Sequence, residues 1–442
     1  MIRTPIDDFV REYADSNTAR LHMPGHKGAG DIERYDITEI KGAGSLYEDE
    51  GIITESERYA SELFGSDTFY STEGSSLAIR AMLYLALIAA KENGKRPIIL
   101  AGRNAHKVFI STAALLDFDV EWLIGSGSYM SCVITADALA ERLDKMEDKP
   151  TAVYLTSPDY LGNMADVESL ARVCHERGIM LLADNAHGAY LKFLSPSRHP
   201  IDLGADMCAD SAHKTLPVLT GGAYLHLSRQ LPESIRQMAK NALALFGSTS
   251  PSYLILSSLD SANRVLDGEF ADNLKIFVSK ISYIKAKLTD IGYELVGDEE
   301  MKITLSPLSY GYTGEELAEL LRDEGIEPEF ADRDYVTLMP SPVIPEDLDL
   351  LLSALSRIER MPCISTEAPE LSLPERACSI REATLSPSEV LPLNLCTGRI
   401  LAAADVSCPP AVPILVPGEV ISEAHLDIFD YYGKDSLRVV KS

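Results

Sequence analysis

Four short runs in this sequence hold the residue types that chemistry needs, and each follows an apolar, β-rich run. They are Gly74-Ser75-Ser76, Arg103-Asn104-Ala105-His106-Lys107, Asp184-Asn185-Ala186-His187-Gly188 and Ser211-Ala212-His213-Lys214-Thr215-Leu216. The first opens a predicted helix. A helix N-terminus offers unpaired N–H groups and a positive dipole end, which suit a phosphate, and Ser75 and Ser76 add hydroxyls. A Gly-Ser turn that merely starts a helix reads the same way. His106 suits stacking on a flat ring, or simple packing where a helix begins. Asp184 ends a buried strand, where a carboxylate is costly unless it is paired; capping the next turn is its plainer use. Lys214 follows an apolar strand and precedes Leu-Pro-Val-Leu. Desolvation lowers an amine's pKa and makes it a nucleophile toward a carbonyl, whereas a surface lysine stays a solvated cation.

Together the four runs supply a phosphate site, a ring partner, an acid and an amine. Pyridoxal phosphate requires that set: an amine for its aldehyde, an acid for its pyridine nitrogen and a cradle for its phosphate.

The elements that must position these residues follow from the pattern. Strands are predicted at 68–71, 97–101, 120–124, 151–156, 179–183, 207–209 and 223–227, with helices at 75–91, 106–116, 136–144 and 166–177. Strands alternating with helices of ten or more residues imply crossovers and a mainly parallel sheet, here of seven strands. Ligands on such sheets lie outside the carboxyl ends of the strands, where all four runs fall. After Asp260 the pattern changes to a long helical run at 261–291, strands at 293–296, 301–306, 327–330 and 336–339, and helices at 313–323 and 345–360. The expected division is an N-terminal segment at 1–65, a large α/β domain at 66–260, a smaller α+β domain at 261–360 and a C-terminal extension at 361–442. Residues 361–385 read as a linker.

Composition narrows the class. The 442 residues carry 40 basic and 67 acidic side chains, a formal net charge of −27. Such a surface repels nucleic acid and anionic lipid, so neither is an expected partner. The seven cysteines are scattered, without a CxxC pair, which points to reduced thiols in a cytoplasmic protein and no metal site. No signal peptide opens the chain, and no apolar stretch reaches the length of a membrane helix.

The same residues resemble the Orn/Lys/Arg decarboxylase family, in its compact bacterial form. Leu21-His22-Met23-Pro24-Gly25-His26-Lys27-Gly28 resembles the family's amino-terminal signature, and Asp36-Ile37-Thr38-Glu39 its next block. Ser211 to Leu216 resembles its cofactor-lysine motif. Ser248-Thr249-Ser250-Pro251-Ser252-Tyr253, followed by Ser258-Leu259-Asp260, is its most distinctive block. The resemblance implies an aspartate-aminotransferase-like fold (PLP fold type I) and decarboxylation of a basic amino acid, arginine before lysine or ornithine, to a polyamine-pathway amine. It implies that Lys214 carries the cofactor, Asp184 pairs with the pyridine nitrogen and His106 stacks on the ring. His213 would contact phosphate or substrate carboxylate, and His187 would lie near the ring face. Ser75, Ser76 and Ser211 would bind phosphate, with Thr249 or Ser250 reaching the phosphate of a neighbouring subunit in a homodimer or larger assembly.

The sequence departs from the family at Tyr190, where a histidine is usual, at Ala78, where a second glycine is common, and at Cys408 and Ala411, which replace the tyrosine and glycine of a Tyr-Pro-Pro-Gly-Ile-Pro run. These departures fall on the substrate side. Glu419, with Glu48 and Asp49 behind it, is the candidate for holding a substrate's distal cation. Two other readings stay open: transamination or elimination on the same cofactor, with Arg333 or Arg357 as the carboxylate-binding arginine, and a silent homologue that binds or regulates.

Overall fold

The seven strands expected between 66 and 228 form within one residue of their sequence bounds, whereas the strand expected at 327–330 is only Phe330–Ala331. The computed structural model describes residues 2–92, 97–125, 128–366, 368–369, 371–404 and 410–441. Its first seven strands are β1 (Asp67–Ser71), β2 (Ile98–Gly102), β3 (Asp119–Leu123), β4 (Ala152–Thr156), β5 (Met180–Asp184), β6 (Met207–Asp210) and β7 (Ala223–Leu227). They make one sheet in the order β1-β7-β6-β5-β4-β2-β3. β4, β5 and β6 run parallel, while β7 is antiparallel to both β6 and β1. Residues on β5, β6 and β7 are almost all buried, as strands covered on both faces must be.

The helices in chain order are α1 (Pro5–Asp15), α2 (Ile52–Phe64), α3 (Gly74–Glu92), α4 (Lys107–Leu116), α5 (Ala136–Lys145), α6 (Val167–His175), α7 (Ala212–Thr215), α8 (Glu233–Arg236), α9 (Ala239–Phe246), α10 (Tyr253–Leu266), α11 (Phe270–Ile291), α12 (Gly314–Asp323), α13 (Asp347–Arg357), α14 (Ile380–Leu385) and α15 (Glu423–Tyr431). The long helical run expected at 261–291 is two helices, α10 and α11, parted at Asp267-Gly268-Glu269. The run expected to be a linker contains α14, capped by the Ser379 side chain, which accepts from Glu382 N. Gly74–Lys91 of α3 is, against the sequence expectation, long and apolar enough to cross a membrane. More than half of that window is buried, and α3 packs against β6, β7 and α9, as a core helix does.

The chain divides into two interleaved units. The first comprises residues 1–99, 135–157 and 166–275. In it α1 docks on α10, and the Asp260 carboxylate of α10 accepts from Ile6 N at 2.8 Å and Asp7 N at 3.0 Å. Asp260 thus satisfies the free donors that a helix start always leaves.

The second unit comprises residues 100–134, 158–165 and 276–442. It holds a small antiparallel sheet of β8 (Glu294–Val296), β9 (Ile303–Ser306), β10 (Phe330–Ala331) and β11 (Val336–Leu338), in the order β10-β11-β9-β8. It also holds the ribbon of β12 (Ser388–Pro392) and β13 (Ser436–Val440). Leu401, Ile414, Leu415, Ile421, Ile428, Phe429, Leu437 and Val439 form a separate apolar core beside that ribbon. Each such side chain contributes on the order of 1.5–3 kcal/mol by leaving water.

Candidate active site

Three turns of the first unit are fastened together around Lys214. Gly74 N donates to Gly221 O at 2.7 Å, and the Ser211 hydroxyl donates to that of Ser75 at 2.7 Å. His213 donates twice to Gly222 O, from its backbone N at 3.1 Å and from Nδ1 at 3.0 Å. The start of α3, the Ser211–Lys214 turn and the Gly221–Gly222 turn therefore hold one another. Gly221 has φ 99°, and a Cβ there would lie 2.9 Å from Thr72 O, so the fastening requires glycine. The segment after Lys214 is pinned as well: Leu219 N donates to the Ser258 hydroxyl at 2.9 Å. That bond and the Asp260 cap on α1 give physical roles to the Ser258-Leu259-Asp260 block.

The candidate acid and amine lie just at or past the carboxyl ends of β5 and β6. Lys214 Nζ is 3.0 Å from His187 Nε2. Asp184, the last residue of β5, is buried; its Oδ2 accepts from the Tyr154 hydroxyl at 2.9 Å and its Oδ1 from Ala186 N at 3.3 Å. Burial pushes the Asp184 carboxyl above the usual range, the Tyr154 and Ala186 hydrogen bonds and the Lys214 charge pull it back, and the Asp210 charge adds to the rise. A carboxylate in that position is stabilised by a cation. Sequence reasoning missed Tyr154, because an aromatic residue inside a strand reads as core. It missed Asp210 too, although a charged residue ending an apolar strand directly before Ser211 was a signal.

Other expected residues are placed as follows. Ser76 lies half-buried in the first turn of α3. Thr249 and Ser250 are exposed in the loop before α10, and the neighbouring Ser248 N donates to Glu73 Oε1 at 2.6 Å. His106, in the second unit, caps α4, its Nδ1 accepting from Val108 N at 3.1 Å. Tyr190 and Ala78 are fully buried. Cys408 lies outside the described residues.

Glu419 needs correcting. It does not present an open carboxylate to a substrate cation: Oε2 accepts from Arg103 Nη2 at 2.9 Å and from Val416 N at 2.7 Å. Both side chains of the pair are 5% exposed. Arg103 Nη2 also donates to Ile414 O at 2.9 Å, and its guanidinium lies over the Trp122 ring. The two buried charges serve each other. Glu48 and Asp49 are exposed. Arg357 is paired with Glu324, and Arg333 lies over the Tyr431 ring.

Comparison with known proteins decides the family. A model of the Orn/Lys/Arg decarboxylase major domain matches residues 4–291, and one of the Orn/Lys/Arg decarboxylase C-terminal domain matches residues 365–434. The chain belongs to the Orn/Lys/Arg decarboxylase family. An arginine decarboxylase of Halalkalibacterium halodurans is 30% identical, covering 96% of this chain and 92% of that protein. An arginine decarboxylase of Bacillus subtilis is 28% identical with the same coverage. The fold is that of the Francisella novicida lysine decarboxylase crystal structure, with a TM-score of 0.81 over 100% of this chain and 81% of that one, at 17% identity. It is PLP fold type I, with the mainly parallel seven-stranded sheet and the smaller C-terminal domain expected of this decarboxylase.

Family and fold imply pyridoxal phosphate, and the donor set fits it. Lys214 supplies an amine, Asp184 a buried carboxylate stabilised by a cation, and Ser75 and Ser211 hydroxyls at the N-terminal end of α3.

Proposed function

We propose that this decarboxylase removes carbon dioxide from a basic amino acid, arginine first, to give an amine. The observation that carries the reading is the pairing of Lys214 with His187 next to a buried Asp184, just past the ends of the adjacent parallel strands β5 and β6. Pyridoxal phosphate, when bound, supplies an electron-accepting ring conjugated to the substrate nitrogen.

The chain's own residues do the rest. Lys214 Nζ would be the amine that holds the cofactor. His187, in contact with Nζ, moves a proton to and from it. Asp184, oriented by Tyr154, would keep a proton on the pyridine nitrogen. Ser75, Ser76 and Ser211 would bind the phosphate, and His106 would be the ring's partner. The His213 Nδ1 donates to a carbonyl, which can only accept, so in the imidazolium form Nε2 would donate to phosphate or substrate carboxylate. Thr249 or Ser250 would reach the phosphate of a second copy, which would make the working unit a homodimer at least. Arginine leads because the full-length relatives at 30% and 28% identity are arginine decarboxylases.

Turnover tests the reading. Purified protein loaded with pyridoxal phosphate should release carbon dioxide from arginine, and Lys214→Ala should release none. Release from none of arginine, lysine and ornithine would sink it.

A further inference from the structure

Asp210, the last residue of β6, is a fully buried carboxylate that the reading above does not use. Its Oδ2 accepts from His199 Nε2 at 3.0 Å and from His226 Nε2 at 3.2 Å. Its Oδ1 accepts from Asn185 Nδ2 at 2.7 Å and from the Cys208 thiol at 3.3 Å. All four donors come from side chains buried at 0% exposure. Burial opposes the charge on Asp210, yet the two histidines hold its carboxyl well below the usual range.

A carboxylate, two histidines and a cysteine invite a metal reading, and His199, Cys208 and Asp210 do bring their ligand atoms within 4.8 Å of one another. The surrounding hydrogen bonds oppose it. Ile201 N, which can only donate, points at His199 Nδ1 at 3.4 Å, so the imidazole proton sits on Nε2, the nitrogen a metal would need. Burial pushes the Cys208 thiol well above its ordinary value, whereas a metal binds the thiolate. The arrangement is an anion solvated by four donors.

Its position gives that anion a use. Asn185 directly follows Asp184, and its backbone N donates to Ala209 O at 3.0 Å. Asp210 directly precedes the Ser211–Lys214 turn. One carboxylate therefore ties together the two strand ends that carry the acid and the amine. We propose that Asp210 is a positioning residue for the reaction, its buried charge gripping Asn185 so that Asp184 and Lys214 keep one mutual geometry. This rests on the proposed function; loss of geometry on this scale costs tenfold or more in rate.

The test uses the full chain with Asp210→Asn. The variant keeps the shape: with its carbonyl oxygen toward His199 Nε2 and His226 Nε2 both ring donors stay matched, and its amide nitrogen replaces the oxygen that accepts from Asn185. In cofactor-free protein, the Asp184 carboxyl followed by 13C NMR, with Asp184→Asn as the assignment control, should titrate at lower pH than in the wild type, because a neighbouring negative charge is gone. In loaded enzyme, kcat should fall about tenfold with KM within about twofold. Asn185→Ala, which leaves the Asp210 charge in place, should show the same kcat loss, and it carries the test if Asp210→Asn does not fold. An unmoved Asp184 titration in folded Asp210→Asn would overturn the proposal. So would full kcat in Asn185→Ala, or stoichiometric zinc that leaves the purified wild type only with a chelator. A wild type without turnover contradicts the decarboxylase reading instead, and leaves the cofactor-free titration to decide this one.

Discussion

The Tyr154 hydroxyl donates to Asp184 Oδ2 at 2.9 Å, and both side chains are buried. The bond joins the adjacent strands β4 and β5, two residues from their shared carboxyl end on the tyrosine's side. It offsets part of the burial cost that pushes Asp184 toward its neutral form. Tyr154→Phe removes a hydrogen bond to a charged group, worth about 1.5–3 kcal/mol. Asp184 should then hold its proton to higher pH. The acid limb of the kcat/KM profile should move up by about one to two pH units. An unmoved profile would mean that the hydroxyl does not govern Asp184.

Arg103 and Glu419 form a pair with 5% of each side chain exposed. Removing one partner from a buried pair costs about 3–5 kcal/mol, because the other charge stays buried alone. Glu419→Ala should lose that much stability in denaturant titration. A carboxylate serving a substrate cation would behave otherwise, with stability kept and KM raised, and that result would contradict the structural role.

Ala411 is fully buried with φ 57°, in the left-handed region, and its carbonyl accepts from Lys107 N at 2.8 Å. The usual family residue at that place is glycine, and the structure supplies the reason: the backbone keeps the glycine conformation although the side chain has changed. An L-residue there costs roughly 1–2 kcal/mol, partly offset by glycine's greater freedom when unfolded. Ala411→Gly should raise stability by about 1 kcal/mol. A fall would show that the methyl group packs well enough to outweigh the strain.

His226 is buried, and burial lowers its pKa despite the Asp210 carboxylate, which pulls the other way. A group whose folded pKa is depressed gives stability that is present above its unfolded value, about 6.5 for histidine. Below that pH the unfolded chain takes up a proton that the folded chain refuses. Unfolding free energy should therefore decline as pH falls from 7 toward 5, and His226→Gln should flatten that decline. An equal slope in the two proteins would remove His226 from the account.

The strands were legible because period and turn chemistry agreed over each βα unit: runs such as 179–183, bounded by Gly178 and Asp184, have little other use. Gly178 indeed takes φ 65°, the helix-ending conformation. The break at Asp267-Gly268 was not legible, since an apolar face runs through both helices and a single glycine does not stop one. Among the chemical residues, Asp184 and Lys214 stood out because charge at the end of an apolar strand is costly. Asp210 obeys the same rule and was hidden by the stronger motif beside it. Tyr154, His199 and His226 could not be paired with their acids from spacing, because strand order brings them together. Glu419 was misjudged for a related reason: its partner Arg103 lies more than 300 positions away, and only the fold shows that its charge is already matched.

The most direct measurement is identification of the product. Purified protein is loaded with pyridoxal phosphate, given arginine, lysine and ornithine separately, and the amines are identified by mass. The account predicts agmatine from arginine as the main product, with none from the Lys214→Ala variant. Arginine returned as its keto acid, or no amine from any of the three, would contradict decarboxylation as the reaction of this chain.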